Sequence, residues 1–325
     1  MKQKIRIGIV GYGNLGKGAE LAINNQPDME LVAIFSRRKL NSTASGVPAV
    51  SVDDAAQYQD KIDVMLLCGG SATDLVNQGP QFATLFNTVD SFDTHAKIPQ
   101  YFAAMDQAAK AAGKAVTISV GWDPGLFSLN RLLAGAVLPQ GTDYTFWGKG
   151  VSQGHSDAIR RIPGVKDGKQ YTIPKDEIIT AVRAGQQVSA TSQESHIRDC
   201  YIVAEQGADH SAIETAIKTM PNYFVGYETH VTFISEEEFA KNHSQIPHGG
   251  FVFRSGHTSQ GTNHVLEFAL RLDSNPEFTS SVLAAYARAT FRLASHGFKG
   301  AATVFDIPYA WLSPKSGEEL RKDLL

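Results

Sequence analysis

The sequence predicts an α/β chain: a doubly wound parallel sheet, followed by a second α+β substrate and dimerisation domain with a mixed or antiparallel sheet. Three observations carry that prediction. Over residues 1–122, short apolar, β-rich runs alternate with helical segments, as in successive βαβ units. The first run ends in a glycine-rich string that opens a helix. After Trp122 the alternation gives way to longer β-rich segments with few helical interludes.

Taken in order, residues 5–10, 31–35, 63–68, 87–89 and 115–120 read as strands. They are continuous in apolar residues because helices cover both faces of such a sheet. The clearest helix between them spans 99–112, with Phe102, Met105 and Ala109 on one face and Gly113 where a C-terminal glycine is expected. Beyond Trp122, residues 144–148, 170–173, 198–203, 227–234, 251–255 and 264–272 read as strands. Helices are predicted at 209–219, with Asp209 as N-cap, and at 279–295, ending before Gly297. The domains are therefore expected at 1–122 and 123–275, with 276–325 returning to the first. No internal repeat, low-complexity tract or Gly/Ser linker separates them.

Composition excludes several classes. The 325 residues exceed the length of about 250–300 at which single cores tend to split. With 30 Lys and Arg against 33 Asp and Glu, the net charge of −3 offers no basic footprint for a nucleic acid. Cys68 and Cys200 form neither a disulfide framework nor a CxxC pair, which suits a reducing compartment. The N-terminal apolar run is too short for a signal peptide, and no run approaches the roughly 18 residues of a membrane span, so a soluble, cytoplasmic protein is expected. His243 and His248 lack a matching Cys/His pair, and no metal is expected.

The string Gly11-Tyr12-Gly13-Asn14-Leu15-Gly16 matches G-x-G-x-x-G directly after the first strand and opens a helix over 14–24. The first glycine serves a tight turn, the second lets backbone approach a pyrophosphate, and the third lets helix and strand pack closely. Gly11, Tyr12, Gly13, Asn14 and Leu15 are thus expected at a Rossmann-type dinucleotide site, with phosphate at the helix N-terminus. The second strand ends in Ser36-Arg37-Arg38, with no carboxylate for a ribose 2′-OH. A hydroxyl and two guanidiniums suit a 2′-phosphate, so NADP is the expected cofactor. The loop containing Cys68, Gly70, Ser71, Ala72 and Thr73 follows another strand on the same edge, although an ordinary tight βα turn explains its composition almost as well. Asp93 and Asp123 also fall just after strands. Carboxylates there suit an ammonium group, and a turn or capping role is the alternative for each. Pro124 disfavours the α region for Asp123 and extends it toward the crevice.

The strings VGYGNLG, IFSRR, SATD, VDSFD with its following His95, SVGWDPGLFSLNR, TFWGKGVSQGHSDAIRRIPGV, TMPNYFVGYE, IPHGGFV and LDSNPEFT closely resemble the meso-diaminopimelate D-dehydrogenase family. The resemblance spans nearly the whole chain and weakens over 39–52, 174–195, 256–262 and the C-terminal end. It implies NADP-dependent, reversible oxidative deamination of meso-2,6-diaminopimelate at its D-centre. The products would be L-2-amino-6-oxopimelate, in equilibrium with tetrahydrodipicolinate, ammonia and NADPH, within lysine and diaminopimelate biosynthesis. It further implies that Asp93 and Asp123 meet the reacting ammonium, one of them helping to activate water. Phe146 and Trp147 would form an aromatic wall, and Gln153 and Gly154 would hold the D-centre carboxylate. Thr172, Arg198, His248 and Asn275 would clamp the distal L-centre, while His95, Pro124 and Gly125 would border the cofactor. His155, His264, Arg160 and Arg161 receive no catalytic role, and Trp122 and Phe127 read as core as easily as pocket. A relaxed clamp would give a broader D-amino acid dehydrogenase, and absence of turnover an NADP-binding sensor. The polar clamp set and the paired carboxylates argue against both. A homodimer is expected, two-fold dimers being the commonest oligomers.

Overall fold

The computed structural model describes residues 4–325. The chain divides into two compact units, Met1–Leu129 with Pro276–Leu325, and Asn130–Asn275.

In the first unit, strand β1 (Ile5–Val10) leads through helix α1 (Asn14–Asn24) to β2 (Met29–Ser36) and β3 (Ala49–Ser51). Next come β4 (Val64–Leu67), α2 (Val76–Ala83), β5 (Asn87–Asp90), α3 (Ile98–Ala112) and β6 (Ala115–Thr117). Helix α4 (Leu126–Val137) carries the chain into the second unit.

The second unit contains β7 (Gly141–Trp147), β8 (Gly150–Val151), α5 (Gln153–Arg160), β9 (Val165–Pro174), α6 (Asp176–Arg183), α7 (Ser192–Ser195) and β10 (His196–Ala204). It continues with α8 (His210–Lys218), β11 (Glu228–Phe233), α9 (Glu236–Asn242), β12 (His248–Ser259) and β13 (Thr262–Leu272). Helix α10 (Asn275–Ser295), β14 (Gly300–Ala302) and α11 (Gly317–Leu324) complete the chain.

The first unit is built on one parallel sheet of order β14-β6-β5-β4-β1-β2-β3. Read from the other edge, this is the 3-2-1-4-5-6 order of dinucleotide-binding sheets with one strand added, and it reverses direction between β1 and β4. Central strands are apolar throughout; Val64, Met65, Leu66 and Leu67 are all fully buried. One core layer packs α1 and α10 on the sheet through Ala19, Ile23, Leu283 and Ala287. The other packs α2 and α3 through Phe82, Met105 and Ala109. The predicted glycine cap of α3 is present, Gly113 lying in the left-handed region at φ 68°. Arg288, fully buried in α10, donates to both oxygens of Asp28 at 2.6 Å and anchors the C-terminal segment.

The second unit holds a four-stranded sheet, β11-β10-β9-β8, and a three-stranded sheet, β13-β12-β7. Pairing is antiparallel except between β10 and β11, so the first sheet is mixed and the second antiparallel. Asp209 caps α8 as predicted, accepting from the N–H groups of Ser211 and Ala212.

Several boundaries differ from the sequence reading for identifiable reasons. The strand predicted over 115–120 ends at Thr117, because Ser119 turns into the left-handed region at φ 57°. The helix predicted from 279 begins at Asn275, where Pro276 sits in the first turn and costs no hydrogen bond. Strands β3 and β14 escaped notice: each has only three residues, and β14 reads Gly-Ala-Ala.

Candidate active site

In the first unit the switch point of the sheet places the glycine string at the end of β1, beside the end of β4. Gly11 has φ +92°, and a Cβ there would stand 3.2 Å from the Cys68 carbonyl. A Cβ on Gly16 would stand 2.0 Å from the Gly11 oxygen, so α1 can start this close to the strand only without one. Nothing lies within 4 Å of the Cβ direction of Gly13. No side chain caps α1, which leaves its first N–H groups for an anion. A cavity of about 420 Å³ opens here, lined among others by Gly11, Gly13, Ser36, Arg38, Cys68 and Gly70. This cradle fits a dinucleotide pyrophosphate.

Arg37 is exposed but not loose: its guanidinium donates to Asp74 at 2.8 Å, and Asp74 also accepts from the Gly70 N–H at 3.0 Å. Ser36 Oγ accepts from the Arg38 N–H at 3.1 Å. A basic, hydroxyl-bearing turn is thus held in shape at the end of β2. The Tyr12 hydroxyl donates to Glu20 at 2.5 Å and accepts from the Ala44 N–H at 3.2 Å. Glu20, absent from the sequence reading, is buried; burial works against its charge, yet hydrogen bonds from Ser45 and Tyr12 hold its carboxyl below the ordinary value. Residue 12 therefore locks the 44–45 turn through its hydroxyl. The Cys68 thiol lies in the core and burial pushes it up to about 12, so only its backbone faces the cradle.

Ser71, Ala72 and Thr73 lie in a short π-helical turn after β4. Ser71 Oγ accepts from the Asp93 N–H at 3.0 Å, which joins the loops after β4 and β5. Asp93 and His95 are exposed on this edge. Asp123 is partly buried in the turn after β6, where Gly125, at φ +131°, could not carry a Cβ: it would stand 1.8 Å from the Gly121 oxygen. Trp122 is buried edge-to-face on Phe127 at 5.2 Å, a core pair.

In the second unit the polar residues converge through strand register. Thr172 on β9 stands directly opposite Arg198 on β10 and opposite Gly150 on β8. A Cβ on Gly150 would come 2.5 Å from the Cα of His248, so that glycine lets the start of β12 approach. Arg198 is 8% exposed; NH1 donates to Thr172 Oγ1, and the guanidinium carbon lies 4.1 Å over the Tyr227 ring. Its Nε has no partner, and among the described residues no carboxylate pairs with it. Burial lowers its pKa. Burial, with Arg198 nearby, also pushes His155 down to about 4, so that imidazole is neutral. Gln153 and Gly154 are exposed in the first turn of α5, and the Asn275 N–H donates to the Ile246 carbonyl just before His248.

One expectation is corrected. The Phe146 ring is 2% exposed and packs on Phe253 in the core, because alternate residues of a strand face opposite sides. Trp147, its neighbour, is the partly exposed ring. The Trp147 backbone N–H donates to His196 Nε2 at 3.0 Å, and His196 Nδ1 lies 2.9 Å from the Ser192 carbonyl. Since Nε2 accepts, the proton sits on Nδ1, a tautomer assigned from the network; burial lowers the His196 pKa and keeps the ring neutral. The sequence reading did not single out His196.

The strand order, the glycine cradle with its basic turn, and the carboxylates beside it define a nicotinamide-dinucleotide-dependent dehydrogenase. Residues 121–274 match the model of the diaminopimelic acid dehydrogenase C-terminal domain. The chain is 63% identical to a meso-diaminopimelate D-dehydrogenase of Ureibacillus thermosphaericus, over 99% of each chain. Among solved structures it is similar to a multiply substituted meso-dapdh from Clostridium tetani E88 with DAP (TM-score 0.94, 57% identity, 99% of this chain and 100% of that one). It is likewise similar to an engineered D-amino acid dehydrogenase bound to NADP+ (TM-score 0.89, 45% identity, the same coverage). The chain belongs to the meso-diaminopimelate D-dehydrogenase family.

Proposed function

We propose that this chain catalyses the NADP-dependent, reversible oxidative deamination of meso-2,6-diaminopimelate at its D-centre, yielding L-2-amino-6-oxopimelate, ammonium and NADPH. The observation that carries the reading is Arg198: a buried guanidinium with a donor left over and no carboxylate of its own calls for an anion. A second carboxylate distinguishes diaminopimelate from simple D-amino acids.

The residues divide the work. Gly11, Gly13 and the start of α1 receive the pyrophosphate, with Tyr12, Asn14, Leu15, the Cys68–Thr73 turn, His95, Pro124 and Gly125 around it. Ser36, Arg37 and Arg38 receive the 2′-phosphate. When bound, NADP+ supplies the hydride acceptor. Asp93 and Asp123 hold the D-centre ammonium and take its proton, so that the nitrogen lone pair can form the C=N bond as hydride leaves Cα. One of them then draws a proton from the water that adds to this imine carbon. The C–N bond breaks as the new hydroxyl gives up its proton to form C=O and nitrogen takes up two protons, one of them returned by the carboxylates, to leave as ammonium, with one net proton released to solvent. Trp147, Gln153 and Gly154 seat the D-centre; Thr172, Arg198, His248 and Asn275 hold the L-centre. An opposite configuration at the L-centre or a missing distal carboxylate leaves the buried Thr172 and Arg198 unmet.

We also propose a cytoplasmic homodimer. Both cysteines are free and buried, which suits a reducing compartment, and no helix among the described residues is long and apolar enough to cross a membrane. Light scattering tests the dimer. The activity is tested by NADPH formation from meso-, LL- and DD-diaminopimelate and simple D-amino acids, with NADP+ and NAD+. Turnover of the meso isomer with NADP+ is expected; equal turnover of simple D-amino acids would mean a relaxed clamp, and cofactor binding without turnover would overturn the reading.

A further inference from the structure

Asp90, the last residue of β5, is fully buried, three residues before Asp93. Its Oδ1 accepts from the Phe92 N–H at 3.0 Å and from the Ser119 N–H at 3.1 Å; its Oδ2 accepts from the Tyr101 hydroxyl at 2.8 Å. Its own carbonyl accepts from the Val120 N–H at 2.9 Å. One residue therefore grips both the turn that leads to Asp93 and the turn that leads to Asp123.

We propose that Asp90 is a positioning residue for the reaction: its carboxylate sets the turns that carry Asp93 and Asp123 and so fixes where those two groups meet the substrate ammonium. The proposal rests on the roles given to Asp93 and Asp123 above.

Three features support it. The carboxylate is met by three donors and by no cation among the described residues, a costly arrangement that an apolar residue would avoid if packing alone were at stake. Ser119 is a non-glycine residue held at φ 57°, a conformation that persists only where surroundings impose it, and the bond to Asp90 is part of that imposition. The donors also favour the ionised form. A protonated Asp90 would point its hydrogen into a ring of N–H and O–H donors, and only the Tyr101 hydroxyl can turn to accept it.

Burial raises the Asp90 pKa and the bonds from Phe92, Ser119 and Tyr101 offset part of that rise, leaving it at about 6. Tyr101 of α3 is the titratable group facing it; Leu67 stands beside it in β4, and the turn after β6 contributes backbone N–H. The Tyr101 ring stacks on Phe92 at 4.1 Å, and its hydroxyl can be removed while that packing stays.

Two variants test this with the full-length enzyme. Tyr101→Phe removes a bond that favours the ionised form, so the acid limb of the kcat profile with meso-diaminopimelate should move up by about one pH unit. NADP+ affinity should stay within roughly threefold. Asp90→Ala leaves the Phe92 and Ser119 N–H groups without their acceptor, so both turns lose their tether and kcat should fall about 100-fold with the same retained cofactor affinity. A merely structural role would change the melting temperature and leave the acid limb in place. An unmoved acid limb in Tyr101→Phe, or wild-type kcat in Asp90→Ala, overturns the proposal; if Asp90→Ala does not fold, Tyr101→Phe decides alone. Asp93→Asn and Asp123→Asn are run beside them. If both retain wild-type turnover, the carboxylate reading itself fails, whatever Asp90 does.

Discussion

Arg198→Met separates binding from folding at the proposed distal clamp. The guanidinium is 8% exposed and Nε makes no bond. Taking such a charge out of water costs several kcal/mol. The contact with Tyr227 returns about 2 kcal/mol and the bond to Thr172 about 1 kcal/mol. Methionine fills similar volume without the desolvation cost, so the melting temperature of the substrate-free variant should hold or rise. With meso-diaminopimelate bound, the distal carboxylate would lose its buried cation, a loss of about 2–5 kcal/mol. That corresponds to a fall of roughly 30- to 5,000-fold in kcat/KM. The assay pairs kcat/KM for meso-diaminopimelate and for a D-amino acid lacking the distal carboxylate with thermal denaturation in the presence and absence of substrate. The expected variant loses the first activity, keeps the second, and no longer gains stability from diaminopimelate. A lowered melting temperature with equal losses on both substrates would make Arg198 a structural residue and refute the reasoning.

Further expectations concern other parts of the chain. Arg37→Ala combined with Arg38→Ala should weaken NADPH at least tenfold more than NADH, one charge-assisted phosphate bond being worth about 1.5–3 kcal/mol; fluorescence titration of both nucleotides checks it, and equal weakening would remove the pair from 2′-phosphate recognition. Gly150→Ala drives a methyl group to 2.5 Å from the His248 Cα, so KM for meso-diaminopimelate should rise while cofactor affinity stays, as steady-state kinetics would show. Arg288→Met strands Asp28, and since Asp28 is 31% exposed the cost should sit at or below the low end of about 3–5 kcal/mol, read by denaturant unfolding. Burial pushes the Asp28 carboxyl up and Arg288 more than offsets it, leaving the folded pKa depressed. Its contribution is therefore present above the ordinary carboxylate value and lost as pH falls through the folded one. The gap between wild type and Arg288→Met should close below about pH 4.

The glycine cradle was legible in the sequence because its causes are local. A turn at φ +92°, a helix start that admits no Cβ and a strand end without a carboxylate are each written within a few consecutive residues. The pairings of the second unit are not written that way. Thr172 meets Arg198 because β9 and β10 pair in one register, and a slip of one residue would have turned every side chain to the other face. Phe146 and Trp147 show the same dependence: adjacent in sequence and both aromatic, they differ only in which side of β7 they face, and the packing of Phe253 decides it. His196 had no signal of its own, since its role arises from where the Trp147 N–H arrives.

Asp90 exposes a different blind spot. A carboxylate at the end of an apolar strand reads as the strand's boundary, and attention passes to the exposed Asp93 three residues on. Yet the exposed group can act only where the buried one puts it. Ionised, Asp90 satisfies donors from two separate turns and from α3; the nearest apolar replacement would satisfy none and leave two backbone N–H groups orphaned in the core. Position in the sheet turns an unpaired buried charge from a defect into a geometric constraint on the reacting groups. An acid limb that moves with Tyr101, a residue remote from the substrate in this reading, would be the signature of that constraint.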